Sequence, residues 1–274
     1  TAPPRSADGS VKSGPMCGAL WSQGAMRALS IPARHVLEFM AHHRMLQVHG
    51  RPEWRVVSGG SAQYLRAFER RFRGRIVLNT PVERITRDGV GVTLRAGGKE
   101  ARFDRVFVCT HGDDALALLD RPSPAERSVL GAIRYHANRA VVHGDTRLMP
   151  RRRPAWSSWN VMMASPGPGR IEDGKSETAG ITYWMNRLQG IDGPEFFVTL
   201  NPLTEPDRVF AERTYRHPVF DRGAERAQLE RSAIDGVDRI HYCGAYWGYG
   251  FHEDGYRSAI ESVARFTTEQ RDAA

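Results

Sequence analysis

The stretch that most restricts how this chain can fold lies near its C-terminal end. An apolar run, Ile240-His241-Tyr242-Cys243, enters a turn holding Gly244, Gly248, Gly250 and Gly255, and a helical apolar period follows over about 255–266. The glycines allow a positive φ or close approach of a ligand to the backbone. The N-terminus of the following helix offers unpaired N–H groups and the positive end of the helix dipole. Tyr246, Trp247, Tyr249 and Phe251 can wall a flat ring. Such an arrangement suits a planar cofactor that carries negative charge; a glycine–aromatic turn packed against a core has the same composition. His252 could move protons near neutral pH or simply hydrogen-bond the loop.

Composition narrows the field. The chain has 274 residues, enough for about two domains. Its net charge of +8 comes from arginine: Lys12, Lys99 and Lys175 are the only lysines among 39 basic residues. The arginines are dispersed, the longest run being Arg151-Arg152-Arg153, and no nucleic-acid reader motif accompanies them. Nucleic acid is therefore not an expected partner, whereas an anionic membrane surface or substrate is compatible with the charge. No run approaches the ~20 apolar residues of a membrane-spanning helix. The first fifteen residues hold no secretory-type apolar run. The expected location is cytoplasmic, with peripheral contact at the inner face of the membrane as a variant. Cys17, Cys109 and Cys243 are too few and too widely spaced for a disulfide framework or a zinc site. Cys109 and Cys243 follow strand-like runs and read as buried structural thiols. His35, His42, His43 and His49 lack the H-E-x-x-H spacing, so no metal is expected.

Along the chain, residues 1–12 read as disordered. A helix is expected after Pro32. A second, with Tyr64, Leu65, Phe68 and Phe72 on one face, is expected to be capped by Ser61 and stopped by Gly74, ahead of a strand at Ile76-Val77-Leu78. From Val82 the period becomes that of a strand meander, with turns at Asp88-Gly89 and Ala96-Gly97-Gly98 and a fourth, wholly apolar run at Val106-Phe107-Val108-Cys109. Two helices follow, one from Asp113 and one after Pro124. Residues 134–220 mix strands and turns, including Ala140-Val141-Val142-His143, Thr182-Tyr183-Trp184-Met185 and Phe196-Phe197-Val198-Thr199-Leu200; 164–178 reads as a flexible loop. Tyr183, Trp184, Asn186 and Arg187 read as alternate side chains of one strand, facing either a pocket or an aromatic sheet face.

Tyr242-Cys243-Gly244-Ala245 at a strand end, followed by Glu253-Asp254-Gly255-Tyr256-Arg257-Ser258-Ala259 on a helix, resembles the second flavin-contacting segment of the flavin-containing amine oxidase superfamily. Monoamine oxidases, protoporphyrinogen oxidases and phytoene desaturases belong to it. Its pattern is Ala-Gly-Glu, a variable stretch, then Glu-Gly-Ala-x-x-Ser-Gly; here Ala245 and Ala259 replace the Glu and the closing Gly. Gly59-Gly60 before a helix, then Pro81-Val82-Glu83-Arg84-Ile85, resembles a second superfamily segment whose Val backbone faces the adenine of FAD. The stretches Trp156-Ser157-Ser158-Trp159-Asn160 and Tyr246-Trp247-Gly248-Tyr249-Gly250-Phe251-His252-Glu253-Asp254-Gly255 are similar to a bacterial subgroup of FAD-dependent oxidoreductases, and the likeness extends over about 15–266.

The resemblance implies an α+β fold: an α/β-type FAD domain, incomplete here, and a substrate domain of mixed sheet and helices. Residues 56–112 and 236–274 would belong to the FAD domain, and 13–55 and 113–235 to the substrate domain. It implies FAD as cofactor, held at Val82, Gly244, Ala245, Gly248, Gly250, Glu253, Asp254 and Gly255, with Phe251, Tyr249 and Trp184 on the substrate side. The implied reaction is hydride removal to flavin from an apolar substrate, fatty acyl or isoprenoid-like, or from an amine. Such enzymes often work without a strong general base, and no catalytic residue is singled out. The family's G-x-G-x-x-G turn does not occur in these residues; Gly89-Val90-Gly91 sits in a hairpin. The expectation is therefore a truncated chain, inactive alone and needing an N-terminal FAD segment as partner. The alternative is a non-catalytic, partner-binding remnant of such an enzyme.

Overall fold

The computed structural model describes residues 21, 30–47, 49–50, 52–163 and 179–272. The expectations for residues 1–12 and for the 164–178 loop lie outside these, as does Cys17.

Strands β1 (Val82–Arg87), β2 (Val92–Ala96) and β3 (Lys99–Phe103) form the expected antiparallel meander, with Val82 opposite Ala96 and Val92 opposite Phe103. The first turn is closed by the Asp88 carboxylate, which accepts from the N–H groups of Val90 and Gly91, both at 3.0 Å. The fourth run leaves this sheet. Strand β4 (Val106–Val108) pairs in parallel with β10 (Ile240–Tyr242), Val106 opposite Ile240 and Val108 opposite Tyr242. An all-apolar strand lacks the alternation of a half-solvated sheet and suits a parallel pair covered by helices.

Three helices cover that pair. Helix α3 (Gly112–Leu118) follows β4 directly. Helix α4 (Pro124–Ala132) starts with a capping box between Ser123 and Glu126, and α6 (Arg222–Leu229) is capped by Asp221, whose Oδ1 accepts from Gly223 and Ala224. Their apolar faces meet in one core. Ile85 and Val92 of the meander, Val108 of β4, Ala115, Leu130 and Ile133, Ala227, and Ile240 and Tyr242 of β10 all belong to it. This core crosses the boundary expected at 112/113, because α3 and α4 bury their apolar stripes on the meander and the parallel pair.

The second body is a five-stranded antiparallel sheet, ordered β6-β7-β8-β5-β9, from β5 (Tyr135–His143), β6 (Trp159–Met163), β7 (Ala179–Trp184), β8 (Phe197–Leu200) and β9 (Val209–Pro218). Strand β9 has no clean apolar alternation and was not singled out in the sequence; β5 templates it along nine residue pairs. Strand β7 ends at Trp184, and Met185–Gln189 turns into a short helix, α5, closed by Gly190 at φ +64°. Asn186 and Arg187 are therefore not alternate side chains of one strand with Trp184.

Helix α1 (Ala33–His42) begins just after Pro32, as expected. Helix α2 (Ala62–Glu69) differs from expectation in three respects. Ser61 makes no side-chain capping bond, the helix ends at Glu69 rather than Gly74, and Ile76-Val77-Leu78 forms no strand. None of its residues is buried, and Leu65, Phe68, Phe72 and Leu78 stand exposed. An amphipathic stripe helps a helix only where something covers it.

The main core holds an ion pair around Glu126. Glu126, 2% exposed, accepts from both Arg87 terminal nitrogens at 2.6 Å, from the Tyr242 hydroxyl at 2.5 Å and from the Ser123 N–H at 2.6 Å. Burial pushes its carboxyl up, but the bonds from Arg87, Tyr242 and Ser123 outweigh that and hold it at about 2, against an ordinary 4.5. A carboxylate depressed in the fold contributes stability that is present above its unfolded pKa and lost as the pH falls through its folded one. Glu126→Gln, which leaves Arg87 with only the more distant and exposed Asp238 as counter-charge, should cost about 3 kcal/mol in urea unfolding at pH 7. It should also flatten the acid limb between pH 4.5 and about 2. Equal urea midpoints for variant and parent would refute this account.

Candidate functional site

The β4–β10 ladder continues past the strands, the Cys243 N–H donating to Val108 O at 2.9 Å. Both strands thus end side by side, at the carboxyl end where open α/β sheets place their ligands. Helix α7 (His252–Asp272) packs behind β10. Arg231 joins the two: its guanidinium donates to Ser258 O at 2.6 Å, Ser262 Oγ at 2.8 Å and Glu261 at 2.6 Å. Asp235 accepts from Tyr242 N–H at 2.9 Å and from Ser262 Oγ at 3.0 Å.

Between β10 and α7 the glycine loop is bonded to the protein itself. Gly244 N–H donates to Ser258 Oγ at 2.9 Å, and Gly248 and Gly250 N–H both donate to Ala245 O at 3.1 Å. Gln228 holds the carbonyls of Tyr246 and Gly248 at 2.8 and 2.7 Å. Asp254, 5% exposed, accepts from Phe251 N–H at 3.0 Å and from Arg257, while Gly255 N–H donates to Phe251 O at 3.2 Å. Helix α7 begins at His252, three residues before the expected start, with exposed Glu253 and buried Asp254 in its first turn. Acids there complement the helix dipole.

The glycines have a local reason. A Cβ on Gly248 would lie 2.3 Å from Asp254 Oδ1, and Gly250 combines φ +93° with the Phe220 ring 3.0 Å from its missing Cβ. The neighbours that exclude a side chain are therefore the protein's own Asp254 and Phe220.

The aromatics divide among three places. Tyr246 is buried in the main core, with Trp247 4.8 Å from it. Tyr249 and Phe251 enter a second cluster with Trp21, Ile31, Phe39 and Phe220. There Phe251 stacks on Phe39 at 5.0 Å, and Tyr249 bonds Glu38 through its hydroxyl at 3.0 Å. Trp184 lies in a third cluster with Met149, Trp156 and Phe197, and its Nε1 donates to Glu195 at 2.6 Å. The structure thus joins Phe251 and Tyr249, but not Trp184, to the loop.

A feature that sequence reasoning missed is an apolar cleft of about 640 Å³ between the meander and β4, walled by Val82, Leu94, Val106, Val108 and Leu118. Cys109, Thr110, Glu83 and Asp114 line it as well. Val82, expected to face a cofactor, stands in this wall. The alternation in β2 and the apolar β4 were its only traces in the sequence. Among the described residues, one group could offer three metal ligands, His111, Asp113 and Asp114, but Arg216 ion-pairs with both carboxylates.

Two expectations follow from the loop and its aromatic support. Gly248→Val and Gly250→Val should each lower the thermal midpoint by about 1–3 kcal/mol equivalent with no flavin present, since both overpack the protein against itself. Parent-like melting of both variants, followed by circular dichroism, would contradict the loop geometry. His35, 8% exposed among Trp21, Phe220 and Tyr249, is held by burial at about 4, against an ordinary 6.5. The unfolded chain takes up that proton first, so stability should fall as the pH drops from 6.5 toward about 4. His35→Gln should remove that slope, as read from urea midpoints at successive pH values.

Comparison with known proteins agrees with this architecture. The family model for flavin containing amine oxidoreductases matches residues 15–143. No curated protein matches the chain. Among solved structures, a fatty acid isomerase from P. acnes superposes with a TM-score of 0.63 at 14% identity, over 93% of this chain and 63% of that one. Cyclohexylamine oxidase from Brevibacterium oxydans gives 0.60 at 12%, over 98% and 66%. Reduced UDP-galactopyranose mutase gives 0.57 at 11%, over 98% and 69%. The chain thus spans less than two thirds of the length of the first two. These identities speak for the fold, and FAD is the cofactor that goes with the family. Over residues 15–143 the chain is thus similar to the flavin containing amine oxidoreductases, and as a whole it shares the fold of these flavoenzyme structures.

Proposed function

We propose that this chain supplies the flavin-wall and substrate-side portion of an FAD-dependent oxidoreductase that takes hydride from an apolar substrate, fatty acyl or isoprenoid-like, or from an amine. The observation that carries the reading is the β4–β10 pair, which brings the Cys109 edge of the Val82-walled cleft next to Cys243, where the glycine loop begins.

The residues present fit part of FAD. The apolar wall of Val82, Leu94, Val106 and Val108 suits a neutral ring, with the Val82 main chain able to meet its polar edge. The charged side chains lining the cleft are Glu83 and Asp114, and no Lys or Arg lines it, so nothing there neutralises a diphosphate. In the proposal that task falls to a strand–G-x-G-x-x-G–helix segment outside these 274 residues. Its seat would be the free edge of the two-stranded β10-β4 sheet and the exposed apolar stripe of α2 with Ile76, Val77 and Leu78. The greater length of the superposed structures supports an additional segment of this kind.

When bound, FAD supplies the hydride acceptor. This chain's own residues would orient the substrate and keep water out, a positioning role. In favour of an apolar substrate, one face of the five-stranded sheet presents Trp159, Val161, Tyr183 and Val198, with Trp159 and Val161 each 40% exposed. The net charge of +8 suits approach to an anionic lipid surface on the cytoplasmic side. Among the described residues no helix is long and apolar enough to cross a membrane.

FAD titrated into the purified chain, followed by flavin absorbance and fluorescence, should bind weakly. Joining a family G-x-G-x-x-G segment to its N-terminus should raise affinity at least about a hundredfold, roughly 2.7 kcal/mol, and give a yellow protein. Tight stoichiometric binding by the chain alone would remove the need for the segment. Failure of the joined protein to hold flavin would overturn the reading as a whole.

A further inference from the structure

Cys109 and Cys243 are the residues immediately after β4 and β10. The parallel register that sets Val108 opposite Tyr242 carries on to them, through the Cys243 N–H bonded to Val108 O at 2.9 Å. Neighbouring strands lie about 4.8 Å apart, inside the span of Cα separations that a disulfide bridges. The same register puts the two thiol side chains next to each other at the end of the ladder. Their surroundings differ. Cys109 is exposed and lines the mouth of the Val82 cleft, whereas Cys243 is 3% exposed and lies behind it. The expectation of two buried structural thiols therefore fails for Cys109: β4 ends at an open cleft, and the core closes over β10 alone.

We propose that Cys109 and Cys243 form a peroxide-responsive thiol pair that oxidises to an intrachain disulfide tying the carboxyl ends of β4 and β10. An exposed thiol of high thiolate content beside a sheltered partner is the arrangement by which cysteines sense oxidants. The neighbouring Cys243 thiol lowers the Cys109 thiol to about 7, while the Cys109 neighbour and burial raise Cys243. Cys109 is accordingly the attacking sulfur and Cys243 the resolving one.

The oxidant is a hydroperoxide. The Cys109 thiolate attacks the terminal peroxide oxygen, the O–O bond breaks, and Cys109 becomes a sulfenic acid while the departing alkoxide or hydroxide takes up a proton. Once the Cys109 thiolate is consumed, the neighbouring negative charge that kept Cys243 protonated is gone. Cys243 sulfur then attacks Cys109 Sγ, the S–O bond breaks, and the hydroxyl leaves with the Cys243 proton as water. Two thiols and one hydroperoxide thus give one disulfide, one alcohol (water, for hydrogen peroxide) and one water. The sulfurs lose two electrons and the peroxide gains them. None of these steps involves flavin, so the proposal stands apart from the functional reading above.

The test uses the chain as it is. The purified protein is treated with hydrogen peroxide, free thiols are blocked by alkylation, and the unreduced digest is mapped by mass spectrometry. The expected result is the loss of two of the three thiols, with the Cys109 and Cys243 peptides linked and two hydrogens lighter than the separate pair. Dithiothreitol should restore both. In Cys243→Ala, Cys109 should accumulate as a sulfenic acid captured by dimedone; should that variant not fold, the map of the parent protein decides alone. Links made through Cys17, over-oxidation of Cys109 beside a free Cys243 thiol, or no oxidation of Cys109 would each overturn the proposal.

Discussion

Three residue pairs between β4 and β10 organise the described structure. A two-stranded parallel sheet cannot stand alone in water, because both faces are apolar and each needs a cover. The cover comes from distant parts of the chain. Helices α3 and α4 follow β4, α6 precedes β10, and the meander joins them over one face through Ile85 and Val92, while Phe266 of α7 meets Phe107 and His241 on the other. The cleft and the glycine loop stand at the end of this pair because a strand ladder brings its two ends together wherever it stops. The adjacency of Cys109 and Cys243 follows from the same register.

Around the ladder the protein places charges in its interior and pairs them. Glu126 with Arg87 and Tyr242 ties the meander, α4 and β10 together, and Arg231 with Asp235 and Ser262 ties β10 to α7. Buried ionic groups are costly to desolvate, so such groups add little net stability compared with apolar packing. They do penalise misplacement: a slip of β10 by one residue would turn the Tyr242 hydroxyl away from Glu126 and take one donor from that buried carboxylate. The two networks hold β10 from both sides, and the loop that follows inherits that position.

Much of the organisation was legible in the sequence. The meander turns at Asp88-Gly89 and Gly97-Gly98, the helix start after Pro124 and the strand–loop–helix order at the C-terminal end are local features, and each carries its own chemistry. Misreadings arose where a local pattern depended on a distant partner. The stripe on α2 and the run Ile76-Val77-Leu78 promised a packed helix and a strand, yet both stand exposed, since no strand or helix among the described residues covers them. Strand β9 carried no alternation, yet β5 made it a strand. Trp184 shares an aromatic character with Tyr249 and Phe251 but packs elsewhere.

The sequence by itself determined much of the local conformation and the chemistry each segment could carry: where the meander turns, and that a glycine–aromatic loop joins a strand to a helix. Those properties depend on neighbours a few residues away. Only the tertiary structure decided which residues meet across long stretches of chain: β4 with β10, Val82 with Leu118, Cys109 with Cys243, and Gly248 with the carboxylate of Asp254. Contacts of that kind follow from which apolar faces find cover. Burial is a property of the assembled surfaces, and no single segment carries it alone.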